Sequence, residues 1–366
     1  MNNASDDAAP GWGAHPDNGL LRTAVFLIAL GVAPTALAQP QTASPDPAVE
    51  PAGRIQLALL EHEERTPRRP RPEPKREADK ESWSFAFDND ALVPSHRDQD
   101  YTYGLSVSYT GRDARDAWYS LNPVLGALDG LFGVDGRAAQ RVEGHSVEFG
   151  LFGFTPEDKA ASTPVYNDRP YASLIYLSQS RVRIDPRENV AWHSSLTVGA
   201  LGLAIVGNGQ NAVHKVIGSE HADGWKHQVS EGGEPTARYT VARQKYLAVS
   251  SSNLEVKSTL QASAGYLTEA RWSGGPARAE SYLWGGAAVV ARGYNVFLQG
   301  QFRDSEVTYD SDQLNHMIVE AWLGYTQSFA SGWRLSYVLR GHTSEVREGA
   351  ADRNLLWGGL IIARTF

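Results

Sequence analysis

From Ser82 onward, apolar and polar residues alternate with a period of two. Trp83, Phe85 and Phe87 fall on one side of the first such segment, against Ser82, Ser84 and Ala86 on the other. Trp333, Leu335, Tyr337 and Leu339 repeat the pattern near the end, against Arg334, Ser336 and Arg340. Strict alternation is the mark of strands with two unlike faces. About a dozen segments carry it, near 82–88, 100–111, 141–152, 171–183, 190–203, 236–250, 254–270, 279–290, 292–305, 314–328, 332–346 and 354–366. Several run to ten residues or more. Strands of soluble sandwiches usually run about five or six residues, whereas tilted membrane strands need about nine to eleven. The lengths therefore predict an all-β protein, a transmembrane antiparallel β-barrel of about twelve strands, over 81–366.

The rest of the chain agrees. Its 366 residues include 10 Trp, 15 Tyr, 11 Phe and 35 Gly, a β-rich composition, and no run of about 18 apolar residues that would make a spanning helix. There is no Cys, which removes disulfides, thiolate nucleophiles and Cys-type zinc sites. A net charge of −8 gives no basic surface for nucleic acid. Tight connections at Ser251–Asn253 and Ala330–Ser331 alternate with long polar ones, as expected for short periplasmic turns and longer outer loops. The last segment ends on Phe366, and pairing it with the first strand would remove a sticky edge.

Residues 1–38 read as a signal peptide: in LRTAVFLIALGVAPTALA a single Arg precedes a short apolar core and an Ala36-Leu37-Ala38 ending. Residues 39–80, rich in Pro, Arg and Glu, cannot bury enough apolar surface to fold and read as a disordered linker.

Two places break the alternation with chemistry. In FAFDNDALVPSHRDQDYTYG, several charged residues separate two strands; Asn89-Asp90 is also a favoured turn pair. Strand phase puts Asn89 on the lipid side with Phe87 and Asp90 on the other, so both reach one site only if the strand twists or bulges. Asp88, Asp98 and Asp100 read as solvated loop or lumen charges, and Asp168-Arg169 in NDRPY as an internal ion-pair element at a strand entry. The second place is Leu201–Val229. There NGQNAVHKVIG reads as a short helix of an extracellular loop, stopped at Gly218. Gln210 and His214, four apart, share its face. Glu220 lies six beyond His214 and approaches it only if the chain turns after the helix.

Together, NDALVPSHRDQDYTYG, NDRPYASLIY and GNGQNAVHKVIGSE with the following Gly224-Trp225 resemble the outer-membrane lipid A 3-O-deacylase family. The resemblance runs from about Ser82 to Phe366 and is sharpest around His214 and Glu220. It implies a calcium-dependent twelve-stranded barrel that hydrolyses the 3-position acyloxyacyl ester of lipid A in the outer leaflet. His214 would be the general base, because a neutral imidazole can take a proton from water. Asp90 and Glu220 would hold Ca²⁺, a hard cation that takes oxygen ligands. Asn89, Thr102 and Gln210 would line the same site, and Lys159 falls in the loop where the family has a relevant lysine.

Two other readings compete. One is a barrel without catalysis, structural or channel-forming; the other is an outer-membrane phospholipase. No GxSxG elbow is present to support a serine esterase.

Overall fold

The computed structural model of the chain describes residues 76–77, 81–93, 100–134, 142–185, 188–217, 220–249, 254–278 and 282–366. The signal peptide and all but two residues of the linker lie outside them. Twelve strands form one sheet: β1 (Ser82–Asn89), β2 (Asp100–Thr110), β3 (Val142–Thr155), β4 (Ala172–Asp185), β5 (Val190–Leu201), β6 (Glu234–Val249), β7 (Leu254–Gly265), β8 (Leu267–Arg278), β9 (Tyr282–Asn295), β10 (Met317–Ser328), β11 (Trp333–His342) and β12 (Leu355–Thr365). Each pairs antiparallel with its neighbours, and β12 pairs with β1 from Gly358↔Asn89 to Thr365↔Ser82. The barrel is closed. Arg76–Glu77 adds a short parallel pairing to Val142–Glu143.

Burial is inverted relative to a soluble protein. Trp83, Phe85, Val107, Phe149, Leu260, Trp272 and Leu323 are exposed, while the alternate positions turn charge and aromatic rings inward. Inside, Arg238 and Arg292 donate to Glu269 at 3.2 and 2.9 Å, and Arg271 pairs with Glu320. Beside them pack Trp284, Val290, Ile318, Trp322 and Val338. An apolar outer band around a polar interior is the signature of an outer-membrane barrel. Side chains fill this interior, unlike the water-filled lumen of a porin, which weighs against the channel reading.

The loop that carries Asp168-Arg169 is tied to this interior, as expected of an ion-pair element. The partners are not each other: Arg169 pairs with Glu345, and Arg353 Nη1 meets Asp168 Oδ1 at 2.7 Å. Burial would raise the Glu345 carboxyl, but Arg169 and Arg292 outweigh it and hold it at about 2. Asp88 also points into the barrel, 3.9 Å from Arg340 Nη1. Asp98 and the side chain of Asp100 lie outside the described residues.

The strand count agrees with the alternation; three boundaries do not. The segment expected over 254–270 is split at Tyr266, because Gly265 at φ +130 turns the chain. A Cβ there would fall 2.7 Å from Arg238 Cα, so only glycine fits. The segments expected over 279–290 and 292–305 are one strand, β9. It stops where Asn295 caps a single helical turn, α4 (Val296–Gln299), with Asn295 Oδ1 accepting from Phe297 N at 3.0 Å. Because the chain is helical there, the consecutive Val296 and Phe297 are both buried in the barrel's aromatic cluster.

One end of the barrel carries short connections at 186–189, 279–281 and 329–332, which makes it the periplasmic end. The exception there is the long β2–β3 connection, with helices α1 (Asp113–Asp116) and α2 (Asn122–Leu131). The opposite end carries the long loops, and with them every candidate site residue.

Candidate active site

β1 does not run on through Asp90. At Asn89 the chain enters a 3-10 turn, Asp90–Leu92, with Asn89 Oδ1 accepting from Ala91 N at 2.7 Å. Asn89 Nδ2 donates to the Thr102 carbonyl, and Tyr337 OH donates to the Leu92 carbonyl at 2.5 Å. The turn breaks the strand phase, so Asn89 and Asp90 need not lie on opposite faces; Asp90 is 2 % exposed.

Across from it, β2 has a bulge between Tyr101 and Tyr103, leaving Thr102 as the extra residue. Thr102 Oγ1 lies 2.7 Å from Thr155 Oγ1. The bulge also reverses Tyr101, which alternation alone puts outward with Leu105; its ring instead packs inside against Phe154 and Trp357. Tyr103 keeps the phase of the exposed Leu105 and Val107 and stands on the lipid face.

That outward tyrosine anchors the helix α3 (Ala204–Ile217) to the outside of the wall. Tyr103 OH donates to the Val206 carbonyl at 2.7 Å. Trp225 fills the angle between helix and wall, packed with Val206, Tyr171 and Ala222. A Cβ at Gly153 on the wall would fall 2.9 Å from Trp225 Cη2, and one at Gly207 on the helix would fall on the pyrrole side of the same ring, 2.7 Å from Cδ1 and closer still to Cγ. Both positions need glycine for this close approach. Gly207→Val is therefore expected to push the indole away and shift α3. A misplacement of about 1 Å in a catalytic group can cost about 10²-fold in rate, so deacylation should fall by that order. Heat-modifiable gel migration should remain that of a folded barrel; unchanged activity in the variant would show that the helix position is not critical.

Along α3, Gln210 Oε1 accepts from Trp225 Nε1 at 2.7 Å. The next residue, Asn211, brackets Ala222, donating to its carbonyl and accepting from its N–H, both at 2.8 Å. This bracket folds the chain back after the helix. The return brings Glu220 to His214, but through the backbone: the Glu220 carbonyl lies 2.5 Å from His214 Nδ1, while Glu220 itself is exposed. A carbonyl only accepts, so Nδ1 carries the proton and Nε2 of the neutral ring keeps its lone pair. Lys159 is buried against the same return, its carbonyl accepting from Asp223 N at 2.9 Å and Tyr171 OH at 2.6 Å. Burial pushes the Tyr171 hydroxyl well above the ordinary tyrosine range, which keeps it a neutral donor.

The expected residues thus form two groups. Asn89, Asp90 and Thr102 cluster at the ends of β1 and β2; Gln210, His214 and Glu220 sit on α3 and its return. Tyr103, next to Thr102, ties the second group to the first. Tyr103, Thr155 and Asn211 gave no signal in the sequence, since a tyrosine in a strand or an asparagine in a helix is unremarkable until the partner is known.

A closed barrel of twelve strands with an apolar outer face and a helix docked on its outer-leaflet side is an outer-membrane β-barrel protein. The family model described as "Outer membrane protein LpxR" matches residues 66–279, more than half of the chain, and the chain belongs to that family, the lipid A 3-O-deacylases its motifs resemble. Among solved structures, LpxR from Salmonella typhimurium matches with a TM-score of 0.61 at 17% identity, covering 78% of this chain and 100% of that one. The KdgM porin matches with a TM-score of 0.37 at 6% identity, over 78% of this chain and 99% of that one. No curated protein matched.

Proposed function

We propose that the chain is a calcium-dependent lipid A 3-O-deacylase of the outer membrane, in which His214 activates the attacking water. The observation that carries this reading is the His214–Glu220 contact on the outside of the wall. In the neutral tautomer that this contact selects, Nε2 keeps its lone pair, on the side of the wall where a lipid's acyl chains lie. A lipid need not leave the bilayer to reach it.

In this reading Nε2 takes a proton from water as the oxygen attacks the carbonyl carbon of the 3-position ester. The resulting imidazolium returns the proton to the sugar oxygen as the C–O bond breaks. The products are a free acyloxyacyl acid and a 3-hydroxyl. Asn89, Thr102 and Gln210 orient substrate and water from the wall and the helix.

The donors available suit a hard cation. Asp90 offers a carboxylate withdrawn from water, which needs positive charge or donors around it. Glu220 offers an exposed one, on the residue whose carbonyl meets His214. Among the described residues no three His, Cys, Asp or Glu side chains are grouped so as to hold a metal ion by themselves, so the remaining ligands would be carbonyl, amide and water oxygens. That mixture is typical of calcium and poor for zinc. When bound, calcium would polarise the ester carbonyl and stabilise the oxyanion.

Chelation is expected to abolish deacylation and calcium to restore it. Independently of activity, calcium at about 100 times its dissociation constant should stabilise the folded barrel by about 2.7 kcal/mol, seen as a raised unfolding midpoint in detergent. Asp90→Asn should lose most of that shift. Full activity in excess chelator would remove calcium from the reading. Mass spectrometry of lipid A from cells with and without the protein tests the reaction itself: a species lighter by one 3-linked acyl group is expected, and identical profiles would refute it.

A further inference from the structure

The ten residues of α2, NPVLGALDGL, are arranged the wrong way round for a helix that borders water. Its inner side carries Leu125 and Asp129, both 0 % exposed, and Asp129 is its only charged residue. Its outer side shows Val124 and Leu131, 54 % and 77 % exposed, with Ala127 between them. A helix at a water boundary turns its charge outward and its apolar stripe inward. Here the wall supplies the polar partner.

The wall beneath is inverted to match. Arg181 and Arg183 are in phase with Leu177, which pairs with the exposed Phe149, so both arginines point to the lipid side of β4. Guanidinium groups on that face are destabilising when lipid surrounds them. Asp129 covers them: Arg183 Nη2 donates to Oδ2, as do Ser194 Oγ at 2.8 Å and Arg181 Nη1 at 3.5 Å, while Tyr239 OH donates to Oδ1 at 2.9 Å. Phe132 then stacks on the Tyr239 ring, 5.3 Å between centroids.

We propose that α2 is a membrane-inserted strap: Val124, Ala127 and Leu131 lie among the phospholipid acyl chains of the periplasmic leaflet, and Asp129 clamps the helix to the wall. Two observations choose lipid as the occupant. The outer face of α2 continues the apolar band of the barrel's outside, of which Phe149 on the neighbouring β3 is part. Polarity also changes along the segment as it does at a membrane interface. Arg112 and, on the short α1, Asp113, Arg115 and Asp116 are exposed; Trp118 and Tyr119 follow, both exposed; the uncharged outer face of α2 comes next. Aromatic residues favour that boundary.

The chain has no Cys, so a spin label can be placed at one introduced cysteine. In full-length protein reconstituted in phospholipid bilayers, labels at Val124→Cys and Leu131→Cys should be relaxed by oxygen far more than by a water-soluble nickel chelate. That is the behaviour expected of Phe149→Cys on the lipid face, with Glu348→Cys in an exposed outer loop as the opposite. Trp118 gives a second reading without a label: brominated-chain lipid should quench a larger share of emission in the unsubstituted protein than in W118F. Nickel accessibility at Val124 and Leu131 equal to that at Glu348, with no difference in quenching, would overturn the proposal and place the helix in water.

Discussion

Replacing His214 by alanine is expected to lower lipid A deacylation by about 10² to 10⁴-fold, the usual worth of a general base, in a barrel that remains folded. The residue stands on α3, outside the strand ladder, and its Nδ1 hydrogen bond is to a loop carbonyl. Its loss removes no strand pairing. His221 is the matched control: it is exposed, pairs with Asp223 at 2.5 Å, and its alanine variant should stay near full activity. His227 is a poorer control than its place in the sequence promises. It contacts Glu306 and the Ser162 carbonyl and so ties three outer loops together. Near-normal deacylation by a folded His214→Ala protein would assign the histidine a structural role.

What the sequence made legible divides along physical lines. Alternation reports which face a strand residue takes, so it gave the barrel, its strand number and its outward Trp83 and Phe85. It does not register a change of phase. The bulge at Thr102, the one-residue turn at Tyr266 and the capped turn after Asn295 each follow from one backbone angle or one side-chain bond. Those are invisible to a pattern averaged over ten residues. The site was half legible for the same reason. Helical spacing put Gln210 and His214 on one face, and the structure agrees. Six residues between His214 and Glu220 could not say whether carboxylate or carbonyl makes the contact. That choice depends on Asn211 bracketing Ala222, a bond closed by the fold rather than by sequence distance.

Replacing Asp129 by alanine is expected to destabilise the folded protein by about 3–5 kcal/mol, the scale for removing one partner of a buried ion pair. The carboxylate is fully buried and takes Arg183, Arg181, Ser194 and Tyr239 from three strands. Without it Arg181 retains Glu143 at 3.1 Å, and Arg183 retains the Val134 carbonyl at 2.8 Å. The unfolding midpoint in detergent should drop, and protease should cut more readily between Gly111 and Val134. Asp129→Asn, which keeps an acceptor oxygen, should be milder. The cause can then be separated from lost packing. If the lost ion pair with Arg183 is responsible, Asp129→Leu combined with Arg183→Leu should recover part of the stability, since buried ion pairs can often be replaced by apolar residues at little cost. A double variant no more stable than Asp129→Leu alone would mean that the hydrogen bonds of Ser194 and Tyr239, rather than the charge of Arg183, hold the helix to the wall.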